Sequence, residues 1–448
     1  MSIQLDDSIE RFSARFSKSK KETENAKRSI PGGFSRKTFN YGPHGIFVER
    51  GEGAYIYTIE GEKLLDLNNN FTVNILGHNH PEITKALQEA LPNGISFGNP
   101  SNHEVKLAET LCSRIASVEK VKFSCSASES CITAARIARA HTGKAKIAKF
   151  EGGYHGFIDD LAISAHPPHD KLSGQSDAPQ SVADSGGIPQ YKVDNTIILK
   201  QNDLDACEKI IRAHANEIAC IFMELQSGAG GIVVLDPDFV AGIRALTKEL
   251  NILLILDETI TLRAHYRGMQ HVYDLLPDLT IMGKMIGGGL PIGAVGGQAK
   301  FFEVLESDTV QISGTHHGHL LATVAGAKCL EVMNEAAFDR LNSLSNRIKE
   351  DLNSWAKLHS YPFMIYGAGF SFLGYAFTHD LESEITTHRD FWNLVDNDKI
   401  LIYSLEMAQK GYFPVHRGQL SLSLAMTDED IDGFIEATKE VVSAIFSE

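Results

Sequence analysis

Residues 253–289 read LLILDETITLRAHYRGMQHVYDLLPDLTIMGKMIGGG. An apolar, β-type run from Ile252 to Leu256 ends abruptly in two carboxylates, Asp257 and Glu258. A second short run, Leu279–Gly283, ends in a single lysine, Lys284, and a run of three glycines, Gly287 to Gly289, lies just beyond. Short strands that are apolar throughout are typical of parallel α/β sheets, which are covered on both faces. Such sheets bind ligands outside the carboxyl ends of their strands. The pattern therefore predicts an acid and a lysine that face one crevice.

Outward from this stretch the chain alternates. Upstream, helix Val105–Ser117 precedes a strand at Lys120–Phe123, and Ser124–Glu129 then leads into a helix. That helix carries Cys131, Ala134, Ala135 and Ala138 at i, i+3, i+4, i+7 spacing, one face of a buried helix. Gly143 stops it, Lys146–Phe150 resumes as a strand, and Glu151-Gly152-Gly153-Tyr154-His155-Gly156 follows. Helix Leu204–Ala215, strand Ile218–Met223 with Glu224 at its end, and helix Pro237–Leu250 complete the alternation. A βαβα order implies a mostly parallel sheet with helices on both faces. Residues 163–195, rich in Pro, Ser, Gly and Asp, read as a lid or a disordered segment. The N-terminal residues 1–30 read as one polar amphipathic helix, followed by a β-meander at 46–67. A long helical run begins after Gly326, and Thr427-Asp428-Glu429-Asp430 caps a last helix. The domains expected are 1–75 and 330–448, forming a smaller α+β domain, and 76–329, the large one.

Composition narrows the function. At 448 residues the chain can bury a large core, and a formal charge of −15 argues against nucleic acid and anionic membranes as partners. No apolar run approaches the roughly 18 residues of a membrane span, and the charged first residues lack the apolar core of a signal peptide. The six cysteines have no CxxC or zinc-type spacing. A soluble, cytoplasmic enzyme with reduced thiols is the expectation.

Lys284 is a candidate amine nucleophile, since burial lowers a lysine's pKa; the plain alternative is a surface lysine in a glycine-rich turn. It is not part of a P-loop, because Met285 follows it. Asp257 needs a partner at the end of an apolar strand. That partner is either a salt-bridging cation or a protonated heterocyclic nitrogen. With a pyridoxal cofactor, an Asp at the ring nitrogen keeps the ring an electron sink while a lysine holds the aldehyde as a Schiff base. Such chemistry also requires a phosphate cradle and a stacking ring. Ser126-Ala127-Ser128 before a helix offers the first, or is only a cap; Tyr154-His155 offers the second, or is a rim residue. His316, His317 and His319 lack an accompanying acid or cysteine pattern, so no metal is expected.

These residues together resemble the class III (fold type I) pyridoxal-phosphate aminotransferases, nearest the glutamate-1-semialdehyde aminomutase and β-amino-acid transaminase branch. The resemblance runs from Pro31-Gly32-Gly33 to the last helix. It is carried by LLILDETITLR, PDLTIMGKMIGGGLPIGAVGG (277–297), ARAHTGKAKIAKFEGGYHG (138–156) and ILGHNHPEI (75–83). It implies an α/β fold with a large, mostly parallel, seven-stranded-type sheet, and pyridoxal 5′-phosphate as cofactor. It puts Lys284 at the Schiff-base lysine, Asp257 at the acid on the ring nitrogen, and Glu224 at the acid beside the cofactor. Ser126, Ala127 and Ser128 fall at the phosphate loop, Tyr154 at the stacking ring with His155 beside it, and Thr259 at the residue covering the other ring face. Gly314-Thr315 match the pair that reaches the phosphate across a dimer interface, which implies a homodimer with shared sites. Arg36 and Arg417 match carboxylate-binding arginines of the β-amino-acid branch.

The chain departs from the family pattern at several of these positions. SGTE is SASE, the proline after Glu224 is Leu225, Thr259 is polar, GTxxGNP is GTHHGHL, and TGFR is shortened to Thr261-Leu262-Arg263. The implied function is transfer of an amino group between an amino donor and a keto or aldehyde acceptor, with ping-pong kinetics. An intramolecular 2,1-aminomutase is the alternative within the fold. A catalytically degenerate binding or scaffold relative is the alternative from another class. The identities of donor and acceptor are not readable in the residues.

Overall fold

The computed structural model describes residues 3–39, 42–167, 174–175 and 177–447. It divides into two units, one formed by Glu82–Phe338 with Glu384–Asn393, the other by Met1–Pro81, Asp339–Ser383 and Leu394–Glu448.

The first unit is built on a seven-stranded sheet. In chain order its strands are β1 (Lys120–Ser124), β2 (Lys146–Phe150), β3 (Thr196–Leu199), β4 (Ile218–Met223), β5 (Leu253–Asp257), β6 (Leu279–Gly283) and β7 (Gly293–Gly297). Their order across the sheet is β1-β7-β6-β5-β4-β2-β3. All neighbours run parallel except β7, which is antiparallel to both β6 and β1. Every residue of β4 to β7 is buried, which is why those strands read as unbroken apolar runs rather than alternating ones. The expected α/β architecture is the one found. Strand β7, with the sequence GAVGG, is the element whose composition conceals it, because glycine disfavours strands.

Helix Ala127–Thr142 lies on this sheet through Cys131, Ala134, Ala135, Ile137 and Ala138, packed with Ile147, Phe222, Ile255 and Ile281 in one core cluster. Small side chains on that face let the helix approach the strands closely. Gly143 ends it with φ +70, the left-handed cap.

Two local expectations are corrected and a third is narrowed. The N-terminal residues form two helices, Leu5–Arg15 and Ser17–Ala26, broken at Phe16, whose φ −101 and ψ 44 leave the helical region. The helical run placed after Gly326 starts earlier, as helix Leu320–Val332 with Gly326 in its middle. The 163–195 segment packs its Ile163 and Val193 against Ile198 of β3, with Ala183 and Ile188 alongside, and carries a helix at Gln190–Asp194. Residues 168–173 and 176 of that segment lie outside the described residues.

The second unit carries an antiparallel meander, Val48–Glu52, Tyr55–Thr58 and Lys63–Asp66, extended in parallel by Tyr412–Phe413. A separate antiparallel sheet joins Phe363–Tyr366, Phe372–Phe377 and Gln419–Ser421. The last helix, Asp428–Ile445, starts with a capping box formed by Thr427 and Asp430.

Helix Leu320–Val332 is buried almost all round and packs on the turn Lys284–Gly287. A Cβ on Gly326 would run into the backbone carbonyl oxygen of Ile286, which cannot swing aside. Gly326→Ala should therefore cost about 1–3 kcal/mol, the usual range for overpacking. Urea unfolding of the cofactor-free protein would measure this, and an unchanged midpoint would refute it.

Candidate active site

Sheet register assembles the site. Ser124 of β1 pairs with Gly293 of β7, and Gly293 pairs with Gly283 of β6, so three residues form one row across the sheet edge. At roughly 4.8 Å per strand, Ser124 and Gly283 lie about 10 Å apart. Lys284 follows one end of that row, and the start of helix Ala127–Thr142 follows the other. On the other side of β6, Asp257 of β5 pairs with Ile281. The acid and the lysine thus end adjacent strands on the same edge.

The helix start is closely fitted. Ser126 caps it by accepting from the Glu129 N–H at 3.3 Å, and the Glu129 carboxylate accepts from the Cys125 N–H at 2.8 Å. The N–H groups of Ala127 and Ser128 donate to nothing among the described residues, and they stand at the positive end of the helix dipole. Gly293 has no room for a side chain against the Ser126 backbone, and Gly156 (φ +97) lies against Ser128. The Ala127 methyl points toward Gly283: a Cβ there would be 3.1 Å from it and 3.4 Å from Thr259 Cγ2. Ala127, Thr259 and the β6 end that carries Lys284 are therefore neighbours. Lys284 itself has φ +52, an uncommon backbone for a side chain of its size, at a site that fixes where the amine emerges.

Asp257 is almost completely buried, and two donors hold its carboxylate: His155 Nδ1–H at 2.8 Å and the Thr259 N–H at 3.0 Å. Burial pushes its pKa up, but the His155 hydrogen bond and field, with the Thr259 contacts, outweigh that and hold it below the ordinary value. Asp257 is thus an anion in an apolar setting. Glu224, at the end of β4, is raised instead, by burial first and by Asp257 in addition, against the lowering effect of His155. Its two oxygens accept from the N–H groups of Tyr154 (3.1 Å) and Gly228 (3.0 Å) and so tie two loops together. The Tyr154 side chain is 41% exposed and meets His166 edge-on at 5.6 Å between centroids. Behind this loop, fully buried Lys149 donates to the Ile163 carbonyl at 2.6 Å, and burial lowers its pKa to about 8.

The family model of class III aminotransferases matches residues 38–442. The chain belongs to this family. It is 35% identical to a glutamate-1-semialdehyde 2,1-aminomutase 2 of Geobacillus kaustophilus, over 96% of this chain and 99% of that one. Among solved structures, an omega-transaminase from Sphaerobacter thermophilus superposes with a TM-score of 0.90 at 31% identity, covering 96% of this chain and 98% of that one. A β-phenylalanine aminotransferase from Variovorax paradoxus superposes with a TM-score of 0.88 at 27% identity, covering 97% and 96%. The fold is therefore the fold type I pyridoxal-phosphate transferase fold expected from the motifs.

The class III chain places its remaining expected residues as follows. Gly314 and Thr315 open a turn in the sheet-bearing unit; Thr315 is exposed, and the turn touches the helix start through His317, whose Nε2 lies 3.1 Å from Glu129 Oε2. Arg36 and Arg417 belong to the other unit. Arg36 Nη1 donates to Asn70 Oδ1 at 2.6 Å, and its guanidinium lies 4.6 Å from the Phe39 ring centroid and 4.9 Å from that of Phe71. Arg417 sits at the tip of a tight turn closed by Val415 and Gln419.

Sequence reasoning missed the backbone behind Arg36. Asn69, Asn70, Phe71 and Thr72 all have positive φ, from 49 to 76. Such a left-handed run is costly for non-glycine residues, at about 1–2 kcal/mol each. Asp66 holds it: one oxygen accepts from the Asn68 and Asn69 N–H groups, both at 2.9 Å, and the other from His78 at 2.7 Å. Three consecutive asparagines, the residues that tolerate this conformation best after glycine, were the available signal.

Glu258, the second carboxylate at the end of β5, was given no role from the sequence. Fully buried beside Asp257, it accepts from the Gln270 N–H at 2.7 Å, yet burial pushes its pKa up to about 7. The folded chain then binds this proton more tightly than the unfolded chain, so its contribution to stability is lost as pH rises from about 4.5 through 7. Glu258→Gln should flatten that dependence by about 2–3 kcal/mol between pH 5 and pH 8, measured by urea unfolding at both values. Parallel pH profiles for the two proteins would overturn the assignment.

Proposed function

We propose that this class III enzyme is an aminotransferase that moves an amino group from a carboxylate-bearing amino donor to a keto or aldehyde acceptor. The observation that carries it is the buried Asp257 anion on the strand next to the one that ends in Lys284. Pyridoxal 5′-phosphate is the cofactor, and the residues fit it. The undonated N–H groups of Ala127 and Ser128 suit a phosphate dianion, the Tyr154 ring suits stacking, and an ionised Asp257 suits a protonated ring nitrogen. When bound, the cofactor supplies an aldehyde that condenses with amines and a ring that accepts an electron pair.

The chain's own residues do the rest. Lys284 Nζ would hold the cofactor's aldehyde, and as a free amine at the end of β6 it would serve as the base and acid that moves a substrate proton. His155 keeps Asp257 ionised, and that anion would hold a proton on the cofactor's ring nitrogen. Glu224 is a positioning residue that fixes Tyr154 and Gly228 by their N–H groups. Gly314 and Thr315 serve the site of a partner subunit in a homodimer, and Arg36 and Arg417 read the donor carboxylate.

A second reading, intramolecular aminomutase, is favoured by the Geobacillus kaustophilus relative and by the 163–195 segment, which contacts Tyr154 through His166. A retained intermediate would need such a cover. Single-turnover absorbance with a panel of amines separates the two readings. An aminotransferase bleaches the cofactor band and releases one free oxo product per site, and a keto acid restores the band. Isomerised product without free oxo compound would establish the mutase. A protein with no yellow, borohydride-reducible adduct would be the non-catalytic relative.

Lys284→Ala should lose roughly 10²–10⁴-fold in turnover, the usual worth of a positioned acid–base group. His155→Leu should raise the Asp257 pKa and move the acid limb of the pH–rate profile to higher pH, a shift that a merely structural role would not give. An unmoved limb would remove His155 from this role.

A further inference from the structure

The turn 314–319 carries three histidines that the proposed chemistry does not use. In the folded unit His317 meets two residues far from it in sequence: Cys125, just before the helix cap, and Glu129 in the first turn. An imidazole nitrogen, a carboxylate oxygen and the Cys125 sulfur all lie within 4.8 Å of one another. We propose that Cys125, Glu129 and His317 form a zinc(II) site with three protein ligands and an open fourth position.

The donor set selects the ion. A thiolate with an imidazole is too soft for Mg²⁺ or Ca²⁺, which take oxygen ligands, and suits tetrahedral zinc. Zinc bonds of about 2.0–2.3 Å place tetrahedral ligand atoms roughly 3.3–3.8 Å apart. The His317–Glu129 pair is already at 3.1 Å, and Cys125 Sγ lies within 4.8 Å of a ligand atom of each, so a small closure brings the set to ligand spacing. Cys125 is half-buried, whereas Cys131, Cys207, Cys220 and Cys329 are fully buried and unreachable by an ion. With the Glu129 carboxylate accepting, His317 Nε2 carries a proton that zinc would displace, and Nδ1, which has no hydrogen-bond partner among the described residues, is the ring nitrogen left to take it.

Without metal, burial and the Glu129 carboxylate keep the Cys125 thiol protonated. On binding, the S–H bond is broken, a Zn–S bond forms and the proton passes to solvent, with no change of oxidation state. The bound ion would pin the turn 314–319 to the helix start. The site stands on this geometry and not on the identity of the amino donor.

Titration of metal-stripped holoenzyme with Zn²⁺ against a chromophoric chelator tests it. One ion per chain is expected, with Cys125→Ser and His317→Gln each weakening affinity at least about tenfold and Cys112→Ser binding like wild type. Co²⁺ added to the borohydride-reduced enzyme should give a thiolate-to-cobalt charge-transfer band that Cys125→Ser lacks. Absence of stoichiometric Zn²⁺, or wild-type affinity in both variants, would overturn the site. Thermal unfolding without metal checks that each variant is folded; should Cys125→Ser fail, His317→Gln decides alone.

Discussion

An ionised carboxylate at the end of a wholly buried strand is unstable unless donors replace its water, and at Asp257 the chief donor is His155. This 2.8 Å bond spans from the loop after β2 to the end of β5, with β4 between them. The strand between contributes Glu224, which accepts from the N–H of Tyr154, the neighbour of His155. Three consecutive strand ends are thereby laced together, and the lacing fixes one ring and one anion at the same time. Behind it, Lys149 ties the strand to Ile163, and Glu151 binds Arg389 bidentately at 2.7 and 3.0 Å, so the loop is supported from within its own unit.

The other half of the edge depends on the absence of side chains. Gly283 and Gly293 sit in one row with Ser124, and the helix start and the lysine turn are both pressed against that row. Gly326 and Gly288 repeat the arrangement beneath, where helix Leu320–Val332 meets the turn after Lys284. The turn that carries the lysine is held by close backbone packing at these glycines. The acid is held by hydrogen bonds. One site thus uses two different means of preorganisation, each suited to the charge it must place.

What could be read from the residues follows from what leaves a periodic or terminal mark. Asp257 and Lys284 were legible because each interrupts an apolar run, and parallel topology puts such interruptions on one edge. The helix after Ser126 was legible from its alanines. Strand β7 was not, since GAVGG carries no strand propensity and is a strand because two neighbours need a partner. Residues 384–393 gave no sign of joining the sheet-bearing unit, because His388 and Arg389 are anchored there by contacts with Gly230 and Glu151, more than 150 positions away. The pairing of His317 with Glu129 is hidden for the same reason. Long-range polar contacts have no local sequence signature, and the expectation of no metal at the histidines rested on the lack of a nearby acid and cysteine, which the fold brings to His317.

The departure at Ala127 shows how the two halves constrain each other. The family glycine there lets backbone approach the phosphate, and an added methyl aimed at the anion would obstruct it. In this chain the methyl is turned to the sheet, where it packs with the core cluster and faces Gly283 and the Thr259 methyl. The Ala127 N–H, in the first turn of the helix, has no intrahelical acceptor. Alanine is tolerated because residue 283 has no side chain, and Thr259 fills space there with a methyl of the kind an apolar residue would supply. The polar residue at position 259 and the missing glycine at 127 are then one packing solution rather than two independent losses. The substitution that would undo it is not at either position but at Gly283, where any side chain would meet both.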